Sequence, residues 1–257
     1  MQVGAMRLVF AGVSLIPLGL SRWGQVKARD WRYLLAVSAL GNGLPAFLFT
    51  IAQTQLSSSL TGALNSLVPL FALLIGALVF GKQPTRYQQT GVGIGLAGAL
   101  LLIFLGSGQP LGHVNSFALL VVLATLCYAS SATIIKSRLQ AYSSLTITSS
   151  SIPVLVAPAL LYLLFAEPLR TPASQDVWMS LGAVFTLGFV GTALALLLFY
   201  HLIGSTNALF ATSVTYLIPV VALFWGWLDG EWIAPAQIIG MFTILGGVYL
   251  IHRSNAS

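Results

Sequence analysis

The sequence has 257 residues, of which 57% are apolar and only 6% are charged. A soluble domain carries about 25% charged residues, so this composition excludes a water-soluble globular protein. The net charge of +6 does not indicate nucleic-acid binding, because the basic residues lie in short breaks between apolar blocks and are not clustered with aromatic residues. The single cysteine, Cys127, lies within an apolar block, which excludes an intramolecular disulfide and a cysteine-based metal site.

The apolar residues form blocks that are each about 17–25 residues long, the length that crosses a bilayer as a helix. In chain order the predicted spans are Val3–Leu20, Tyr33–Ala52, Leu60–Phe80, Gln88–Leu105, Phe117–Ile135, Leu145–Phe165, Trp178–Leu202, Asn207–Leu228 and Pro235–Ile251. The pattern therefore predicts an all-α polytopic membrane protein with nine transmembrane helices and no soluble domain.

The loops between these spans differ in charge, which predicts their orientation. Loops 53–59 and 106–116 contain no Lys or Arg, and Arg7 and Arg170 are the basic residues that break the pattern. The other basic residues fall on one side, and they are Arg22, Lys27, Arg29, Arg32, Lys82, Arg86, Lys136, Arg138 and Arg253. Basic loops stay in the cytoplasm, so a multi-pass protein of the cytoplasmic (inner) membrane is predicted, with a cytoplasmic C-terminus and the N-terminus, as written, outside.

The chain also carries an internal repeat. Pro69 matches Pro219 at an offset of 150 residues, and Gly76 matches Gly226 in the same register. Five predicted spans separate each element from its partner, and an odd number means that the two copies cross the membrane in opposite directions. Inverted-topology repeats are typical of secondary transporters, which bind substrate near the midplane between the two halves.

A glycine-rich run, Gly91, Gly95 and Gly98, lies inside the fourth predicted span. After a one-residue deletion, the run repeats in the last span as Gly240 and Gly247. A glycine-rich nucleotide-binding turn follows a strand, and no strand precedes this run. The four-residue spacing instead predicts close packing of helices through small residues.

Matched motifs in the two halves carry a family resemblance. They are Ser57–Ala63, Leu67–Leu70, Gly81-Lys82 and the run 91–98 in the first half, and Gly204–Ala208, Leu217–Pro219, Gly230-Glu231 and the run 240–247 in the second. With these motifs the sequence resembles the drug/metabolite transporter superfamily, specifically its EamA-type branch. The resemblance covers essentially the whole chain.

This resemblance implies a bundle of five plus five helices with both termini in the cytoplasm. The first span here resembles the family's second helix, so the first repeat, residues 1–105, is expected to lack one helix, and residues 106–257 form the second repeat. Truncation, a misassigned start and a genuine nine-helix variant all stay open. The function implied is a secondary transporter that exports small metabolites or drugs by alternating access. The alternatives are a lipid or lipid-linked sugar translocase on the same scaffold and a truncated, non-transporting membrane protein.

Polar side chains inside the spans are the candidate substrate-binding residues. They are Asn42, Asn65, Ser66, Tyr128, Thr192, Thr215 and Tyr216, of which Asn42, Asn65 and Ser66 pair with Thr192, Thr215 and Tyr216 in the repeat. A polar group in hydrocarbon needs a partner, either across a helix interface or in a wet cavity. A cavity of such residues without fixed charge suits small neutral, zwitterionic or amphipathic metabolites.

No catalytic residue, cofactor or metal site is predicted, and the expected partners are a small-molecule substrate and the lipid bilayer. Every Asp and Glu falls at a span edge or in a loop, which argues against a carboxylate proton relay. His201 lies well inside a span and is a candidate for protonation, with an interfacial position as the alternative. Trp23 and Trp31 flank the first inner loop and are expected to belong to an interfacial belt. Assembly into a homo-oligomer stays open.

Overall fold

The structure is a computed structural model that describes residues 2–80, 84–105, 116–165, 175–205 and 217–253. These residues are helical apart from short connections, and no strand occurs among them. The helices are α1 (Gln2–Leu20), α2 (Trp31–Ser38), α3 (Leu44–Ala52), α4 (Ser58–Asn65), α5 (Val68–Phe80), α6 (Arg86–Leu105), α7 (Ser116–Arg138), α8 (Ser144–Ser151), α9 (Val156–Phe165), α10 (Gln175–Gly188), α11 (Ala195–Ser205), α12 (Leu217–Leu228) and α13 (Pro235–Arg253).

Joined end to end, these helices form long apolar stretches. Seven stretches in the described part of the chain are long and apolar enough to cross a membrane, and they are Gln2–Leu20, Ala28–Ala52, Ser58–Val79, Arg86–Leu105, Ser116–Arg138, Ser144–Phe165 and Val177–Leu202. A shorter apolar helix covers Pro235–Ile251, and α12 is the described part of the predicted eighth span. The predicted all-α polytopic membrane fold is confirmed, and the number of nine spans stays a prediction.

The outer surfaces of these helices are apolar. Leu78 is 84% exposed, Leu164 is 78% exposed and Phe242 is 63% exposed. A soluble monomer rarely exposes large contiguous apolar patches. Lipid accommodates such side chains without cost, so their exposure is explained by a bilayer around the protein.

The described helices group into two compact units. The first unit comprises Met1–Thr50 and Ile134–Asn207, and the second comprises Ile51–Thr133 and Ala208–Ser257. Each unit draws helices from both halves of the chain, because helices that are distant in sequence pack together. These compact units do not correspond to the two sequence repeats. The boundary between the repeats near residue 105 stays a prediction.

The first unit contains two π turns at equivalent positions of the repeat. Ala39–Gly43 joins α2 to α3, and Phe189–Leu194 joins α10 to α11. The starts of the two turns are 150 residues apart, the offset of the sequence repeat. A π turn inserts one extra residue into a helix and often occurs at a functional site. The matching irregularities show that the two halves share local structure as well as sequence.

The sixth span in the first unit is broken between α8 and α9. Pro153 lacks a backbone N–H, so the Ser149 carbonyl loses the donor of a regular helix. The indole Nε1 of Trp23 donates to this carbonyl at 3.1 Å. Gly19 allows the approach, because a Cβ there would lie 2.6 Å from the Ser149 carbonyl oxygen. Trp23 is half-buried and its indole N–H is used within the protein, while its expected place in an interfacial belt stays a prediction.

The second unit is organised around the close crossing of α6 and α13. A Cβ on Gly91 would lie 2.5 Å from the Gly247 carbonyl oxygen, and one on Gly98 would lie 2.9 Å from that of Gly240. The repeat relates Gly91 to Gly240 and Gly98 to Gly247. The contact of Gly91 with Gly247 is therefore equivalent, in the repeat, to the contact of Gly240 with Gly98. Such reciprocal pairing defines a two-fold relation between the helices. The predicted small-residue packing is confirmed at this crossing. The antiparallel pairing of the two glycine runs is the arrangement expected of an inverted repeat, which stays a prediction.

Candidate functional site

The third span is interrupted between α4 and α5. Pro69 has no backbone N–H, so the carbonyl of Asn65 lacks the donor that a continuous helix would supply. The chain tightens there instead, since the amide of Ser66 donates to the Ala63 carbonyl at 3.2 Å. Asn65 and Ser66, both predicted from the sequence, therefore lie side by side at a helix break.

Polar atoms at this break lack hydrogen-bond partners. Within the described residues, Thr61 Oγ1, Asn65 Oδ1 and Ser66 Oγ are buried atoms without one. Thr61 is 4% exposed and Ser66 is fully buried. An unpaired buried polar atom costs about 1–3 kcal/mol, so a ligand or a water molecule that satisfies it gains that energy. These three residues are called the α4 cluster below. Sequence reasoning missed Thr61, although it lies one turn before Asn65 on the same helix face.

A second group of polar residues lies in the first unit, beside the α8–α9 break. Asn42 lies in the π turn Ala39–Gly43, and its Nδ2 has no hydrogen-bond partner in the parts of the chain that the structure describes. Ser150 is fully buried, and its Oγ is equally without a partner there. One turn before Asn42, Ser38 Oγ donates to the Ser151 carbonyl at 2.5 Å, which holds the two helices together. Asn42 and Ser150 are called the α8 cluster below.

Thr192 lies in the other π turn of the same unit and is 1% exposed. Its Oγ1 donates to the Leu187 carbonyl at 3.2 Å, so the hydroxyl is satisfied within its own helix. The neighbouring Ala193 packs in one buried cluster with Ile152, the residue at the α8–α9 break. Thr192 therefore lies near the α8 cluster, but its hydroxyl proton is already used.

The remaining predicted residues are more scattered. Tyr128 is half-buried on α7. His201 is exposed on α11. Thr215 and Tyr216 lie outside the described residues. The structure thus groups Asn65 with Ser66 and places Asn42 and Thr192 in one unit, while the roles of all seven residues and of His201 stay predictions.

The sequence analysis assigned no role to Glu231, which follows α12. One carboxylate oxygen of Glu231 accepts from the Ser58 amide at 2.7 Å. The other accepts from the Ser59 amide at 3.1 Å and from Ser59 Oγ at 2.8 Å. Ser57 caps the same helix, with its Oγ accepting from the Leu60 amide at 3.2 Å. The orphan amides at the start of α4 are therefore satisfied by one cap from the helix itself and one from a distant loop.

A second polar network joins two predicted inner loops of the first unit. The Tyr142 hydroxyl donates to Asp30 Oδ2 at 2.6 Å, and the Lys27 amide donates to the Tyr142 oxygen at 3.2 Å. Arg29 Nε lies 3.6 Å from Asp30 Oδ1, with the Arg29 side chain 76% exposed. This ion pair therefore adds little energy, and the partly buried hydrogen bond of Tyr142 at 2.6 Å is the stronger contact.

These two networks shift the acidities of their members. Burial raises the pKa of Glu231, but the hydrogen bonds from Ser58 and Ser59 outweigh it, and the net pKa lies below the ordinary value of 4.5. The hydrogen bond to Asp30 raises the pKa of Tyr142 above its ordinary value of 10.0, partly offset by the Lys27 amide. Near neutral pH, Glu231 is therefore a carboxylate that accepts, and Tyr142 is a phenol that donates.

Long apolar helices, broken where buried polar atoms have no partner among the described residues, are typical of polytopic transporters. The comparison with known families agrees. The model of the EamA-like transporter family matches residues 1–104 and 115–253. The chain belongs to this family, which is part of the drug/metabolite transporter superfamily, and is a multi-pass membrane transporter.

Several relatives cover most of the chain. A protein of Archaeoglobus fulgidus named "Uncharacterized transporter" is 24% identical over 231 residues, which are 89% of this chain and 80% of the relative. The "Uncharacterized inner membrane transporter YedA" of Escherichia coli K12 is 28% identical over 84% of this chain and 68% of its own. The "Probable terminal-alkyne amino-acid exporter" of Streptantibioticus cattleyicolor is 25% identical over 96% of this chain and 82% of its own.

A solved crystal structure has the same fold. It superposes with a TM-score of 0.67 at 19% sequence identity, and the match covers 100% of this chain and 89% of the other. At this identity the likeness concerns the fold alone.

Proposed function

We propose that this protein is an exporter of small zwitterionic metabolites of the amino-acid type, working by alternating access in the cytoplasmic membrane. The observation that carries the proposal is the pair of polar clusters at helix breaks, whose buried atoms have no hydrogen-bond partner in the described part of the chain. Relatives named as a terminal-alkyne amino-acid exporter and as an amino-acid metabolite efflux pump support both the direction and the substrate class.

The chemistry of the unpaired atoms supports a zwitterionic substrate. Asn42 leaves a donor, Nδ2, without a partner, and Asn65 leaves an acceptor, Oδ1. Each cluster taken by itself offers both kinds of contact. The Thr61 and Ser66 hydroxyls can donate beside the Asn65 acceptor, and Ser150 Oγ can accept beside the Asn42 donor. A donor suits a carboxylate, and an acceptor suits an ammonium group. Neither cluster contains Asp, Glu, Lys or Arg. The one charged group among the buried atoms without a partner in the described residues is Arg7 Nε in the first unit, which would suit a substrate carboxylate.

The hydroxyl groups of both clusters extend this chemistry. Ser66 and Ser150 each offer an oxygen that can donate or accept, so they fit either end of the substrate. Tyr128, Thr192, Thr215 and Tyr216 are proposed as further lining residues, and His201 as a protonation site. Among these, Thr192 would have to release its bond to the Leu187 carbonyl before it could contact a ligand.

The helix breaks support the mechanism. In an inverted repeat, each half can adopt the conformation of the other half. When the two halves exchange conformations, the binding site closes to one side of the membrane and opens to the other. The π turns and the interruptions at Pro69 and Pro153 are places where helices can bend without losing a full ladder of hydrogen bonds. They are the proposed hinges.

The test is transport by purified protein in proteoliposomes, with radiolabelled neutral amino acids supplied one at a time. Asn65→Ala and Asn42→Ala should each lower the transport rate about tenfold, because one charge-assisted hydrogen bond is lost. The matched control is Thr186→Ala, an exposed hydroxyl whose Oγ1 donates to the Gly182 carbonyl. All three variants must give the wild-type yield and the wild-type elution profile.

Two results would contradict the proposal. Equal loss of rate in Thr186→Ala would show that the assay reports general damage. Movement of a fluorescent phospholipid between leaflets, without amino-acid transport, would assign the protein to lipid translocation instead.

A further inference from the structure

Helix α4 is held at its start by a residue that lies 172 positions further along the chain. Both oxygens of the Glu231 carboxylate are used, and they accept from the amides of Ser58 and Ser59 and from Ser59 Oγ. A carboxylate at a helix N-terminus also interacts favourably with the helix dipole. Charge-assisted hydrogen bonds are roughly twice as strong as neutral ones. This set of contacts, Glu231 with Ser58 and Ser59, is called the α4 clamp.

The α4 clamp is supported by close packing of α4 against α12. A Cβ on Gly226 would overlap both Ser59 Oγ and Glu231 Oε2. A Cβ on Gly62, one turn further along α4, would overlap the Cβ of Ala222. Both sites lack side-chain bulk where the helices meet, so the backbone of α4 lies directly on α12. The carboxylate fixes the end of a helix that already has little freedom to tilt.

The atoms without a partner among the described residues lie from the middle of α4, at Thr61, to its end at Asn65 and the following Ser66. The helix has eight residues, which corresponds to about 12 Å. Thr61 and Asn65 are four residues apart and share one face, and Ser66 follows at the break. A short helix without internal hinges moves as one body, so its orientation at Glu231 sets the position of Asn65.

The sequence provides this clamp in one half only. In the register of the repeat, Glu231 pairs with Lys82. A lysine ammonium group has donors and no acceptor, so it cannot cap amide groups at a helix start. The clamp, which joins Glu231 of the second sequence repeat to α4 of the first, is therefore not a general consequence of the repeat.

We propose that Glu231 is a positioning residue that holds α4 so that Thr61, Asn65 and Ser66 keep their place in the substrate site. The inference rests on the proposed function for the role of Asn65, but its first test is independent of transport. Glu231 does not itself contact substrate.

The experiment measures how readily position 65 reacts with a water-soluble maleimide. The background carries Cys127→Ser, since Cys127 is the single native cysteine and is buried, and Asn65→Cys supplies the reporter. Adding Glu231→Gln should raise the labelling rate about tenfold, because a neutral side chain caps the helix more weakly. The control is Asp229→Asn, which removes the same charge from the same loop at an exposed side chain. It should leave the rate unchanged.

A second variant keeps the inference testable if Glu231→Gln does not fold. Ser59→Ala removes one of the three contacts and should raise the rate about threefold. When Ser59→Ala is combined with Glu231→Gln, the labelling rate should rise little above that of Glu231→Gln alone, because both changes break the same interaction. Glu231→Asp keeps the charge and should restore a rate closer to that of the parent.

Equal labelling in Glu231→Gln, Asp229→Asn and the parent would overturn the inference. So would full additivity of Ser59→Ala and Glu231→Gln. In proteoliposomes the inference expects Glu231→Gln to raise KM more than it lowers kcat, since the binding residues are displaced and remain present. Absence of transport by the wild-type protein would reject the proposed function, while the labelling rates would still decide the role of Glu231.

Discussion

Two adjacent glycines in α13 should respond in opposite ways to the same substitution. A Cβ on Gly247 would lie 2.5 Å from the Gly91 carbonyl oxygen and 2.6 Å from the Gly95 amide nitrogen. A Cβ on Gly246 would meet nothing within 4 Å. Replacing each glycine by alanine therefore adds the same methyl group, once into the α6–α13 crossing and once into open space.

The expected magnitude follows from these distances. Ordinary contact begins at 3.4 Å, so Gly247→Ala must separate the two helices by about 1 Å at their crossing. Overpacking of this kind costs about 1–3 kcal/mol. Alanine also favours a helix over glycine by about 0.5–1 kcal/mol, and this gain is common to both variants. The difference between them should therefore be about 1–3 kcal/mol in the free energy of unfolding.

Thermal unfolding of the purified variants in one detergent measures this difference. For a protein of this size, 1 kcal/mol shifts Tm by about 2–4 °C, so Gly247→Ala should melt about 2–12 °C below Gly246→Ala. Gly91→Ala probes the same contact from α6 and should behave like Gly247→Ala. Equal melting temperatures for Gly246→Ala and Gly247→Ala would refute the close crossing and the two-fold relation drawn from it.

Three further outcomes are expected. Trp23→Phe leaves the Ser149 carbonyl without its donor and should lower the free energy of unfolding by about 1–3 kcal/mol, whereas Trp232→Phe at an exposed site should not. Tyr142→Phe removes the hydroxyl that contacts Asp30 and should cost about 1–2 kcal/mol in chemical denaturation, and an unchanged midpoint would refute the contact. Because its folded pKa is lowered, Glu231 stabilises above pH 4.5 and loses this effect as the pH falls through the folded value. Acid titration should therefore destabilise the wild type more than Glu231→Gln.

The sequence was sufficient for the class of protein and for its repeat. Hydropathy over about 20 residues decides whether a helix can cross a bilayer, and that property is local. Proline and glycine act locally as well, so the match of Pro69 with Pro219 indicated the repeat, and the glycine run indicated close helix packing. The α4–α5 break and the pairing of Gly91 with Gly247 came from the structure. The π turns at Asn42 and Thr192 fall at matching repeat positions, although no residue pattern in the sequence predicted a π turn at either one.

Which polar groups have partners was decided only by the tertiary structure. Asn42 and Thr192 are equivalent in the repeat, yet the Thr192 hydroxyl bonds to its own helix while Asn42 Nδ2 has no partner among the described residues. Glu231 caps a helix that precedes it by more than 170 residues. A hydrogen bond depends on atoms within about 3 Å, whatever their separation in the chain. Composition and periodicity therefore predicted the helices and their repeat, and only packing could show which side chains hold α4 and which buried atoms have no partner among the described residues.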